Sequence, residues 1–222
     1  MRILMFLAIL LVLPFVLRIL ARIAIFLFLR TAGRGIAKEV GKAAVDRLPD
    51  AIHLEPRERP SWKDAAAITS LTAPLEAEGF FNAGHFTIVE IAGVSLQFFV
   101  DTERNAYSVV YEHEAAGIFL DLVTLYEDGA SLTATTSKHV ALDPRPGHEK
   151  LRAPGASASE LLRRFFAERP SKPMRPMGRE LLPGYFEKAW ADEIEWRRSR
   201  GGATVREVAA VATARMRRGG HA

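Results

Sequence analysis

The sequence predicts an α+β fold: an N-terminal transmembrane helix, then a helix, a roughly five-stranded antiparallel meander and C-terminal covering helices. Three observations carry that reading. Every residue from Ile3 to Leu17 is apolar. Between Phe80 and about Val140, short runs rich in β-branched and aromatic residues alternate with tight turns. After Gly155 the apolar spacing becomes helical, and two capping boxes appear.

The N-terminal run is long enough to act as a membrane anchor over residues 1–29. A span needs roughly 20 residues at about 1.5 Å each. Ile3 to Ala21 meets that length if Arg18 snorkels to the headgroups along its aliphatic stem, which leaves Arg22 at the interface. A register centred on Leu10–Leu29 would bury both arginines, at roughly 2.5–3.5 kcal/mol for each central one. A cleaved signal peptide fits less well: the run is interrupted by arginines, and no small-x-small site directly follows Leu17. The expected element is therefore an uncleaved, single-pass signal-anchor in the cell membrane.

Arg30, Arg34, Lys38, Lys42 and Arg47 follow the anchor, whereas Arg2 alone precedes it. The positive-inside bias then turns the remainder of the chain toward the cytoplasm. Arg30, Arg34, Lys38 and Lys42 recur every fourth residue, so a continuing helix sets them along one side, against anionic headgroups. With Arg18 and Arg22 they form the expected membrane-surface contact. Ile36, Val40, Ala44 and Leu48 run along a different stripe. Residues 30–60 make a basic juxtamembrane segment and linker, closed by the proline-rich stretch Pro49–Pro60.

A soluble α+β domain is expected over residues 61–218. It opens with a helix over 61–78 in which Ser61 is the N-cap, Ile68, Leu71 and Leu75 share a face, and Gly79 is the stop. Pro74 predicts a kink or restart. The sheet follows at about 84–139, with runs at Gly84–Ile91, Ser95–Val100, Ala106–Glu114, Ile118–Tyr126 and Ser131–His139. Their connections are too short for parallel crossovers, so the strands are expected to be antiparallel. Asp143–Gly155 reads as a linker. Helices then occupy about 157–218: one capped by Ser157 and Glu160, one over Pro183–Arg198, and a last one opened by Thr204 and Glu207. They are expected to cover one face of the sheet.

Composition narrows the function classes. The chain has 222 residues, 49% of them apolar and 25% charged, which suits a packed domain. Charge is segregated: residues 1–59 carry ten Lys/Arg against five Asp/Glu, residues 60–150 five against thirteen, and residues 151–222 fifteen against eight. The acidic middle argues against a nucleic-acid groove. There is no cysteine, which removes disulfides, thiolate catalysis and Cys-ligated metals.

Glu112, His113 and Glu114 form the one tempting chemical cluster, the weak catalytic candidates of this chain. On a strand His113 points away from both carboxylates, so the three cannot meet at one metal without help from other strands, such as His85 or His139. Glu127-Asp128-Gly129 is first a hairpin signal. Gly33–Lys42 misses the phosphate-loop spacing by one residue. No cofactor or metal is expected. The sequence thus favours a membrane-anchored, non-catalytic binding or accessory module, with the lipid bilayer as one partner. Its acidic sheet domain would take a protein partner or a small ligand. The competing reading is a membrane-associated enzyme, such as a hydrolase, with its site on the antiparallel sheet.

Overall fold

The computed structural model describes residues 35–60, 62–139 and 142–219, with side chains to residue 214. In chain order the elements are α1 (residues 35–46), β1 (Leu54–Arg57), α2 (Ala65–Ala77), β2 (Phe81–Ile88), β3 (Ile91–Asp101) and β4 (Ala106–His113). They continue with β5 (Gly117–Leu125), β6 (Ser131–Thr135), β7 (His148–Arg152), α3 (Ala158–Glu168), α4 (Leu182–Ser199) and α5 (Val205–Gly219). Two units result. Arg47–Arg200 form the sheet unit, and the described residues of the other are 35–46 and 201–219.

The sheet has seven strands in the order β1-β2-β3-β4-β5-β6-β7. All neighbours are antiparallel except β6 and β7, which are parallel. This corrects the five-stranded antiparallel meander. The five expected runs are β2–β6, and the two additional strands are the edges, both drawn from segments that read as linkers. Their disguise is physical. An edge strand needs no full apolar alternation, and charge or proline on it blocks further pairing. β1 has the sequence LEPR and β7 HEKLR. Residues 136–147 give the chain enough length to return parallel to β6.

Strand periodicity sends neighbouring side chains to opposite faces, and both faces are apolar. Phe98 and Phe99 of β3 are each fully buried, one on either side. Phe99, Val110, Leu120, Leu122 and Ala134 pack with Ile68 and Leu75 of α2 and with Leu161 and Phe165 of α3. Leu96, Phe98, Val100, Val109 and Val123 pack on the other side with Leu182, Phe186 and Trp190 of α4. Phe98 meets Phe86 and Phe186 edge-on at 5.3 and 5.4 Å between ring centroids. The expectation that helices cover one face is therefore corrected: α2 and α3 cover one, α4 the other.

Caps fix the helix ends. Asp64 accepts the Ala67 N–H at 3.0 Å and starts α2, later than the sequence suggested. Pro74 sits inside α2, which continues to Ala77. Gly79, at φ +90°, ends that turn. Ser157 accepts the Glu160 N–H, as the capping box required. The second box is reciprocal: Thr204 Oγ1 accepts from Glu207 N at 3.3 Å, and Glu207 Oε2 accepts from Thr204 N at 2.6 Å.

Among the described residues no helix is long and apolar enough to cross a membrane. The anchor expected over Ile3–Ala21, with Arg18, Arg22, Arg30 and Arg34, lies outside the described residues, as does Ser61. Lys38 and Lys42 are exposed on α1.

Candidate functional site

On the face shared with α2 and α3, apolar cover gathers residues of β3–β6. Toward β1 the same face turns polar, because the register places His85 opposite Gln97 and Thr87 opposite Ser95. An open groove of about 640 Å³ lies at this end of the sheet, where β1 meets the β2–β3 and β4–β5 turns. Its charged lining is Glu55, Arg57, Lys63, Glu112, His113 and Glu114. From Arg57, Thr87 and Ser95 a recess of about 310 Å³ continues to Arg59, Trp62 and His85.

All three weak candidates line the larger groove, but each polar group has a structural partner. Glu112 accepts the backbone N–H groups of Lys63 at 2.8 Å and Asp64 at 3.0 Å, holding the chain that enters α2. Glu114 pairs with Lys63 Nζ at 3.1 Å, both side chains well exposed. His113 Nδ1 accepts the N–H groups of Ala115 and Ala116 at 3.0 and 3.1 Å, which closes the β4–β5 turn. His139 Nε2 donates to Ala116 O of the same turn at 2.9 Å. Among the described residues no group of three or more His, Asp or Glu is placed to hold a metal ion.

The recess offers different chemistry. Burial holds the His85 imidazole below its ordinary pKa, opposed by a hydrogen bond to Gln97, which is itself buried. That burial favours the neutral ring over the imidazolium. Trp62 stands beside it, 6.1 Å between centroids at a 60° tilt. Arg57 donates from Nε to Thr87 Oγ1 at 3.1 Å and pairs with Glu55. Arg59 is exposed at the mouth. Two guanidinium groups, that of Arg57 paired with Glu55 of the adjoining groove, one imidazole and one indole line this recess, whose own lining holds no carboxylate. Such a set suits an anionic group attached to an apolar or aromatic body.

Sequence reasoning named His85 only as an auxiliary ligand. Alternation along β2 was the available signal, since it sets His85 and Thr87 on one face. Asp121 was also missed. It interrupts the apolar run GIFLDLVTL on the α4 side of the sheet, opposite Val109 and Thr135. Its Oδ1 is buried without a hydrogen-bond partner. Burial pushes its pKa up to about 6, against the pull of Thr135, Lys150 and Tyr111. The Ser131–His148 contact, 2.8 Å from Oγ to Nδ1, joins β6 to β7, but Ser131 is buried and lines neither the groove nor the recess.

Comparison with protein-family models, curated proteins and solved structures finds no match.

Proposed function

We propose that this chain is a membrane-anchored, non-catalytic binding module, facing the cytoplasm, that takes a small anionic amphiphile at the recess and groove beside β1. One observation carries the reading: the acids and the imidazole suited to acid–base work are engaged in holding turns and a helix entrance, while the cavity beside them stays open. Catalysis needs a group free to move a proton, and binding does not. Arg57, Arg59 and the His85 ring meet the anionic head. Trp62, with Ile88, Val89 and Ile91 of the adjoining groove, meets the apolar tail. An anchored position suits such a ligand, since amphiphiles concentrate at bilayers.

The experiment uses the full chain in phosphatidylcholine vesicles, with hexyl phosphate as the probe. The expected result is saturable binding that weakens about tenfold in Arg59→Glu and in His85→Ala, the loss of roughly one charge-assisted contact. Circular dichroism should stay unchanged, because both side chains lie at the recess rather than in the core. Equal binding of hexyltrimethylammonium would refute an anionic site. The competing enzyme reading takes over if the protein turns over a phosphate ester and His113→Ala abolishes that turnover.

A further inference from the structure

The recess beside β1 contains one ring that can change its charge. In the sheet His85 lies between Gln97 of β3 and Arg57 of β1. Gln97 is buried, and its hydrogen bond with the imidazole favours the charged ring, so the ring is the donor. A neutral imidazole has a single N–H. With that hydrogen committed to Gln97, the second nitrogen carries a lone pair, which repels an anion instead of receiving it. Only the imidazolium can donate to Gln97 and to a ligand at once.

The lining of the recess supplies no carboxylate to balance such a charge, and its other ionic groups are Arg57 and Arg59. The acids nearby line the adjoining groove, where each has a partner: Glu55 pairs with Arg57, Glu112 accepts the N–H groups of Lys63 and Asp64, and Glu114 pairs with Lys63. α2, on the same face, carries no charge from Ala65 to Leu75. The negative charge that would hold an imidazolium here is the one a ligand brings.

We propose that the recess takes up its anion together with a proton from solvent, His85 becoming an imidazolium as the ligand seats. The inference rests on the anionic recess of the proposed function and adds how pH governs it. The filled site holds more protons than the empty one. Affinity therefore falls as pH rises between the titration of the empty ring and that of the filled ring, and is level on either side. One proton sets the limit, about tenfold in affinity per pH unit.

Hexanesulfonate is the probe, because its head stays a monoanion throughout and cannot itself supply the pH dependence. The full chain in phosphatidylcholine vesicles would be titrated calorimetrically at pH 6 and pH 8 in mixed Bis-Tris and Tris. At pH 7 the heats would be compared in each buffer alone, since these cationic buffers differ in ionisation enthalpy and do not compete for the site. Binding should be roughly fivefold tighter at pH 6 than at pH 8, and the heats should differ between buffers as proton uptake requires. His85→Gln retains a donor that cannot titrate, and should bind equally at both pH values with equal heats. His53→Gln, which removes an exposed imidazole outside recess and groove, should keep the wild-type pH dependence. Equal affinities and equal heats in the wild type would overturn proton uptake and leave the anionic recess standing. A pH dependence that survives His85→Gln would assign the proton to another group and also overturn it. Absence of saturable binding at either pH would overturn the recess and the proton uptake together.

Discussion

Glu112 and Asp121 are both strand carboxylates, and their surroundings give them opposite roles. Glu112 receives two backbone N–H groups at the entrance to α2. Glu112→Ala should therefore destabilise the fold by about 1–2 kcal/mol, read from a shifted urea midpoint at constant slope. A loss near zero would mean that Asp64 alone fixes the helix start. Asp121 behaves in reverse, since burial raises its pKa to about 6 from the 3.8 of an ordinary aspartate. Between those values the folded state binds more protons than the unfolded one, so this group's contribution falls as pH rises through the window and is constant above it. Asp121→Asn should flatten stability between those pH values and stabilise the protein at pH 7 by up to about 3 kcal/mol. Urea titrations at pH 4 and pH 7 test this, and an unchanged pH dependence would refute the burial account. The sequence displayed an aspartate in an apolar run without telling which face was closed. That depended on α4, which lies more than sixty residues further along the chain.

The legibility of elements followed their burial. β2–β6 announced themselves through alternation and turn residues because their side chains must sort between two environments. β1 carries proline and charge, and β7 charge, because their outer edges stay unpaired, and so both resemble loops. Capping boxes at Ser157 and Thr204 were readable since a cap is local chemistry. The placement of helices on both faces was not, because distant contacts decide it. Two predictions belong at this scale. Phe98→Ala empties a fully buried site between Phe86 and Phe186, and should cost about 3–5 kcal/mol in a urea titration. Gly41→Val sets side-chain atoms against Ala203 O, a backbone atom that must move. It should release residues 201–203 from α1, seen as faster proteolytic cleavage there with the urea midpoint of the sheet unit unchanged. Wild-type cleavage rates would show that the contact tolerates the substitution.

For the whole molecule, the proposed reading is a binding module held at a bilayer by the apolar N-terminal run, with its site in the open groove of the sheet unit. The weak candidates Glu112, His113 and Glu114 of the sequence line that same groove. The partners of those side chains, the Lys63 and Asp64 backbone for Glu112, the β4–β5 turn for His113 and the Lys63 ammonium for Glu114, were not legible in the sequence. Place is the claim on which the rest depends. The most direct test is a tag after Ala222, followed through membrane fractionation and protease treatment of intact and lysed cells. The account predicts a tag that sediments with membranes, resists protease in intact cells and is digested after lysis. A tag recovered in the soluble fraction, or digested while the cells are intact, would contradict it.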